Sequence, residues 1–289
     1  MTIACVDCGA LAGDVAEGVV WRCYACPSAV YRHLPTPTAP APKVKRVRRV
    51  VRPEPKTSLP MGSLQTDDVV PRLDMNPKGW GECLPQGVLV ILSADPGGGK
   101  STFTLLSAGS VKGVVLYAAT EESVHQIAAR GKRIGANPAI KLYHCNSMFG
   151  IVEEAKKVDP DLLVVDSLND CTGIESGGEN SALVDKLATL RDYCHTSGTT
   201  AIVIAHVNAE GEISGPTTLE HRSDINVSIK VCDNEDRIIR GSKNRFGRTG
   251  VYAAYRMADS GIVWIADPEE PALTGKRKGR KVSESVAGS

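Results

Sequence analysis

The sequence has little aromatic character, no long apolar run and almost no net charge. Phe, Trp and Tyr make up 4% of its 289 residues, so a core has to be built from aliphatic side chains. None of its apolar stretches approaches the roughly 18 residues that a membrane-spanning helix needs, and no membrane partner is expected. The first residues lack a basic stretch followed by an apolar one, so no secretory signal is expected. The 34 Lys and Arg nearly cancel the 33 Asp and Glu, leaving +1. Taken alone, that total speaks against a strongly basic nucleic-acid binder. What is plentiful is apolar residues, at 42%, enough for one large domain and a small module. The nine cysteines are an odd number, and four of them form two Cys-x-x-Cys pairs. A reducing, cytoplasmic setting fits this better than a disulfide framework.

The near-zero total conceals a split. Residues 33–60 carry seven cations and one acid, and residues 271–289 carry five cations and one acid. These two segments therefore hold +10, and the remaining chain holds −9. Seven prolines within 33–60 favour extended polyproline II, so this segment reads as a semi-stiff linker. Its centre, residues 43–52, has six cations and no acid. It is either a soluble spacer or a contact to a phosphate backbone, and the second would be sensitive to salt. Residues 271–289 are small, charged and polar, and read as a disordered basic tail.

Residues 1–32 read as a small metal module. Cys5-Val-Asp-Cys8 is followed by Cys23-Tyr-Ala-Cys26. Each pair can present two thiolates from a tight turn, and two pairs complete a tetrahedral set suited to Zn²⁺. A module this short buries too little apolar surface to fold alone, whereas a structural zinc contributes about 10–16 kcal/mol. An iron–sulfur or redox role and four unrelated cysteines are the alternatives. A four-thiolate site is closed, so such a zinc is structural.

Residues 61–270 alternate strand-like and helix-like patterns. Apolar runs at 88–93, 114–118, 162–165 and 201–205 read as buried strands. Val124, Ile127, Ala128 and Ile134 have helical spacing, as do Leu183, Leu187, Leu190 and Cys194. Continuous aliphatic strands separated by helices imply an α/β fold, a mainly parallel sheet covered on both faces. From residue 225 the strands shorten, at 225–231, 237–242, 251–256 and 262–265. That part reads as an antiparallel extension.

The segment Asp95, Pro96, Gly97, Gly98, Gly99, Lys100, Ser101 and Thr102 directly follows the first of these strands. It is close to a phosphate-binding P-loop, with Ala94 in place of the usual first glycine. Glycines let backbone N–H groups curl around phosphate oxygens, and a following helix adds its positive N-terminus. Lys100 would reach the β- and γ-phosphates of ATP, and Ser101 would hold Mg²⁺. Asp166 follows the strand 162–165, the position of a carboxylate that holds Mg²⁺ through water, or else is a strand-end cap. Glu121 and Glu122 follow the strand 114–118. One could orient or deprotonate an attacking water, or both could be solvated at a helix start, where negative charge is favourable. His206, after the strand 201–205, is either a γ-phosphate sensor or a satisfied strand-end histidine.

These residues, taken in order, resemble the RadA (Sms) family of bacterial repair ATPases within the RecA superfamily. The resemblance covers residues 1–32 and about 75–265. It rests on the four cysteines, on Asp95-Pro-Gly-Gly-Gly-Lys-Ser-Thr102 and on the stretch 115–127. It rests further on the stretch 206–224 and, most specifically, on Lys243-Asn-Arg-Phe-Gly247, which is identical to the family's signature pentapeptide. The resemblance implies a RecA-like core behind a zinc ribbon, with ATP, Mg²⁺ and Zn²⁺ as cofactors. It selects Glu121 as the catalytic base. It implies a homo-oligomeric ring, with a hexamer expected, in which Lys243 and Arg245 reach the γ-phosphate held by the next subunit. A cation supplied in trans stabilises the charge of the transferring phosphoryl group.

The resemblance also implies DNA as partner. The family binds single-stranded DNA, drives branch migration and works beside a RecA-type recombinase. Its two channel loops correspond to residues 168–181 and 207–218, which here contain no Lys or Arg and several acids. The basic linker and tail are therefore expected to compensate. The family continues past the pentapeptide into a Lon-protease-like domain, which is not expected here. The leading expectation is a DNA-dependent, helicase-like ATPase acting on single-stranded or branched DNA in recombination or repair. A replicative ring helicase of a phage or plasmid is a second, and an ATP-switched recombinase mediator or helicase loader a third.

Overall fold

The computed structural model describes residues 71–95, 97–173, 179–206 and 221–265, and three short strands nearer the N-terminus. The chain divides into two compact units, Met1–Lys43 and Val44–Ser289. In the first, β1 (Ile3–Cys5) pairs antiparallel with both β2 (Leu11–Ala12) and β3 (Tyr31–His33). Cys5 closes β1, but its side chain and Cys8, Cys23 and Cys26 lie outside the described residues. So do the expected domain boundaries near residues 60 and 270, the basic centre of the linker and the tail; the boundary expected at residue 32 falls within β3, inside the first compact unit.

The second unit is built on one nine-stranded sheet. Its elements are β4 (Leu89–Ala94), α1 (Lys100–Gly109), β5 (Val115–Ala119), α2 (Val124–Arg133), β6 (Lys141–His144), α3 (Met148–Val158), β7 (Leu162–Asp166), α4 (Glu179–Ser197), β8 (Thr200–His206), β9 (Ile225–Val231), β10 (Arg237–Asn244), β11 (Gly250–Ala258) and β12 (Gly261–Ile265). The strand order is β12-β11-β10-β9-β4-β8-β7-β5-β6. The six strands from β9 to β6 in that order are parallel, and β10, β11 and β12 add on antiparallel.

Side-chain alternation explains the unbroken aliphatic runs. In β4, Val90, Leu92 and Ala94 enter the core on one face, while Leu89 and Ile91 enter the core on the other. In β7, Leu162 and Val164 divide from Leu163 and Val165 in the same way. A strand covered on both faces has no polar side. Phe103 and Leu105 of α1 and Ile127 of α2 fill the first core. Ile151 of α3 and Leu183, Leu187, Leu190 and Cys194 of α4 fill the second. The few aromatics are concentrated. Trp80, Phe103, Tyr255 and Trp264 form successive ring contacts with centroids 5.0–6.4 Å apart. They lock α1 to the antiparallel strands.

Two differences from the sequence reading have physical causes. The strand 225–231 is not part of the antiparallel extension. The chain leaves β8 at one end of the sheet and re-enters at the other, so β9 lies parallel to β4, with Val90 opposite Ile225. The edge strand β6 was not expected, because Lys141 and His144 face solvent and only Leu142 and Tyr143 are partly buried.

Candidate active site

The exits of β4, β5, β7 and β8 bring most of the expected residues together. In an open α/β sheet, ligands bind at this end of the parallel strands. Gly97 and Gly99 have φ of 73° and 87°, a region that side chains disfavour. A Cβ on Gly98 would lie 2.9 Å from the Asp95 carbonyl oxygen, so this turn admits no side chain. Tyr255 donates to the Gly98 carbonyl at 3.0 Å, bracing the turn from the aromatic cluster. Gly99 is the N-cap of α1 and brings no side-chain cap. The first N–H groups of the helix therefore face the loop, as a phosphate cradle requires. Pro96 lies outside the described residues.

Lys100 donates its Nζ to the Ala94 carbonyl at 3.1 Å. Burial lowers its pKa, opposed by the charges of Asp166, Asp95 and Glu121. Ser101 is half-buried and Thr102 buried on the first turn of α1. Asp166 ends β7, where Tyr117 of β5 donates to its Oδ2 at 2.6 Å. The Thr120 Oγ1 donates to the Asp166 carbonyl at 3.0 Å and accepts from the Ser167 N–H at 2.7 Å. The turns after β5 and β7 are thus tied to each other. The glycine cradle, the lysine and a carboxylate at the next strand exit form a donor set that fits a nucleotide with Mg²⁺.

The two glutamates part company. Glu122 forms an ion pair with Arg130 of α2 at 2.5 Å. Glu121 is exposed and turned the other way, toward His206 (3.6 Å) and Asp170, with which it shares a hydrogen bond. That bond, then burial and the charges of Asp170, Asp166 and Glu122, raise the Glu121 pKa to about 7. Ser167 donates to Asp170, and the His206 Nε2 lies 3.2 Å from the Ser167 Oγ and 3.9 Å from Asp170. The His206 N–H donates to the Asn169 Oδ1 at 3.0 Å. His206 is thus held between the carboxylates at the exit of β8.

Lys243 and Arg245 are elsewhere. β10 runs antiparallel to β9, so its C-terminal end lies at the strand entrances. The Lys243 Nζ donates to the carbonyls of Ser223 (2.7 Å) and His221 (3.3 Å). The Arg245 Nη1 bonds the Asp224 Oδ1 at 3.0 Å, and Asp224 in turn accepts from the Leu89 N–H at 3.0 Å. Leu89 opens β4 and the P-loop follows its last residue, about 17 Å farther along at about 3.3 Å per residue. The pair is therefore remote from the P-loop of its own chain. The loop at 207–218 and residues 174–178 of the stretch 168–181 lie outside the described residues.

Sequence reasoning missed Tyr117, Asp170 as a partner of Glu121, Asp224 and Tyr255. Only Tyr117 left a signal, a hydroxyl in an otherwise aliphatic strand.

Known proteins match this chain at both levels. A family model described as an AAA domain matches residues 54–212, more than half of the sequence. The chain belongs to the AAA domain family. DNA repair protein RadA of Streptococcus pyogenes serotype M3 is 33% identical over 212 residues, 69% of this chain and 46% of that protein. DNA repair protein RadA of Bacillus subtilis is 31% identical over 254 residues, 83% of this chain and 54% of that protein. The chain spans about half the length of the curated relatives it matches. A KaiC-like protein of Pyrococcus horikoshii OT3 shares the fold with a TM-score of 0.57 and 17% identity. That match covers 68% of this chain and all of the other. This AAA domain chain therefore carries the expected α/β core with its mainly parallel sheet. Among the described residues, no helix is long and apolar enough to cross a membrane.

Proposed function

We propose that the chain is a RadA-type DNA-dependent ATPase that acts on single-stranded or branched DNA in recombination or repair. The observation that carries this reading is the division of its charged groups between the two ends of one sheet. Lys100, Asp166, Glu121 and His206 gather at the strand exits, and Lys243 and Arg245 at the entrances. Such a division suits a homo-oligomeric ring in which each subunit supplies cations to the site of the next.

In this reading the N–H groups of the glycine turn and of α1 hold the phosphates. Lys100 exchanges the Ala94 carbonyl for phosphate oxygens. Ser101 and Asp166 would hold Mg²⁺, which supplies charge neutralisation across the phosphates when bound. Glu121 accepts the proton of the attacking water, and His206 reports the γ-phosphate to the β8 exit. Lys243 and Arg245 of a neighbour stabilise charge on the transferring group. Cys5, Cys8, Cys23 and Cys26 would hold a structural Zn²⁺. Contact with the DNA backbone falls to the basic residues of 43–52 and 271–289, because the channel loops contain no Lys or Arg.

The test is ATP turnover with and without single-stranded DNA, run beside a mass measurement in ATP. Stimulated turnover and a multi-subunit mass support the motor. The acidic loops favour one other reading, an ATP-switched mediator. Turnover indifferent to DNA would leave that reading in possession.

A further inference from the structure

We propose that Asp224 is the positioning residue for Arg245 and ties the aim of that arginine to helix α4. This rests on the reading that Arg245 acts on a neighbour's nucleotide. Asp224 is buried, and its carboxylate is crowded with donors. Oδ2 accepts the Leu89 N–H at 3.0 Å and faces the His195 Nε2 at 3.7 Å. Oδ1 takes the Arg245 Nη1 at 3.0 Å and faces an Arg191 Nη2 at 4.0 Å. The main chain repeats the grip, with the Arg245 N–H bonding the Asp224 carbonyl at 3.3 Å. The Asp224 N–H in turn bonds the Leu89 carbonyl at 2.9 Å. Arginine and aspartate are thus clasped at two points, and the aspartate is fixed to the first residue of the P-loop strand.

Two arginines and a histidine surround this one buried carboxylate. The arrangement has a second property. One guanidinium nitrogen of Arg245 holds Asp224, while the side chain remains 45% exposed. A guanidinium carries five N–H donors in a rigid fork, so it can keep its anchor and still present donors outward. An Arg191 Nη2 lies 4.0 Å from the same Oδ1, and the Arg191 Nε is buried without a hydrogen-bond partner. When Arg245 leans away, the carboxylate still has a cation beside it.

Arg191 and His195 belong to the C-terminal part of α4, and α4 begins at Glu179, inside the stretch 168–181 that the sequence assigns to a channel loop. Nineteen residues of helix span about 28 Å at about 1.5 Å per residue. The helix therefore connects that loop to the carboxylate that aims Arg245.

Mixed assemblies test this. Lys100→Ala subunits can donate Arg245 but cannot hydrolyse, and Arg245→Ala subunits can only accept. Turnover regained on mixing them tests the trans reading itself. If none returns, that reading fails before Asp224 is touched. Asp224→Asn is then added to one side at a time. On the donor it should cut the regained turnover about 10–100-fold, the scale of a small misplacement of a reacting group, with KM for ATP unchanged. On the acceptor it should leave turnover at the level of the parent mixture. Equal losses on both sides would make Asp224 a folding residue only, and no loss on either side would remove it from the site. If Asp224→Asn fails to fold, Arg191→Gln carries the same test from a partly exposed position. A loss confined to the donor supports the inference, and any other pattern overturns it.

Discussion

The two ends of the parallel strands are opposite in charge and in design. At the exits, one half-buried lysine, Lys100, lies among Asp95, Asp166 and Glu121. At the entrances, one buried carboxylate, Asp224, lies among Arg191, His195 and Arg245. The first end has a cradle for phosphates but brings several carboxylates close to where negative charge would develop. The second has cations, but among the described residues no glycine-rich loop leads into a helix N-terminus there. Each lacks what the other has. Subunits joined head to tail would complete one another, and such a heterologous contact closes into a ring or runs on as a filament. In the proposed ring an isolated subunit would be a poor enzyme, and hydrolysis would report assembly.

The strongest way to break the comparison is at the cradle. Lys100→Ala should abolish ATP hydrolysis, measured as phosphate release. Its Nζ is the cation at the exits that reaches the loop carbonyl of Ala94, where phosphate oxygens would compete for it. Unchanged turnover would mean that the glycine turn is only a turn. Arg245→Ala attacks the other end. It should lower turnover by about 10³-fold, the low end for a trans arginine, while ATP binding measured with a fluorescent analogue is retained. A loss of binding as large as the loss of turnover would place Arg245 in folding, not in the neighbour's site.

These two ends were not equally legible. The cradle could be read because its chemistry is contiguous: Asp95 to Thr102 is one segment between an aliphatic run and a helix. The central strands were legible for a similar reason, since Leu89–Ala94 and Leu162–Asp166 are buried on both faces and contain little else but Val, Ile and Leu. The entrance end is assembled from Leu89, Arg191, Asp224 and Arg245, which only the sheet brings together. Without the family resemblance, Arg245 is one more cation after a strand. The same holds for Glu121. Nothing in the local sequence separates it from Glu122, and the division appears only when Arg130 takes one and Asp170 the other.

That division predicts a pH dependence. Glu121 must be ionised to accept a proton, and its hydrogen bond with Asp170 raises its pKa to about 7. Turnover should therefore climb as pH rises through about 7, because the protonated form is inactive. Asp170→Asn removes the competing negative charge and offers an amide donor to the Glu121 carboxylate. The acid limb should then move to lower pH, read from turnover at saturating ATP between pH 5 and 9. A limb that stays in place would mean that another group controls it. At neutral pH the variant should be modestly faster, a smaller effect than either charge removal above.

The smallest effect is expected inside the sheet. Tyr117 is fully buried in β5, and its hydroxyl donates to the Asp166 Oδ2 at 2.6 Å. Burial and the neighbouring carboxylate hold the phenol's pKa well above its ordinary value, so it remains a donor throughout the neutral range. Tyr117→Phe keeps the ring and its packing and deletes one hydrogen bond to a charged group, which contributes about 1.5–3 kcal/mol. The Asp166 carboxylate is itself only partly buried, so water can replace the lost donor and the effect should fall at the bottom of that range. The consequence is specific. An aspartate no longer held by Tyr117 samples other rotamers, and the Mg²⁺ concentration giving half-maximal turnover should rise several-fold, while turnover at saturating Mg²⁺ and the melting temperature change little. Lys100→Ala would not produce this pattern, since saturating metal cannot restore a missing cradle. An unchanged Mg²⁺ requirement in Tyr117→Phe would remove the hydroxyl from the set of groups that shape the exit end.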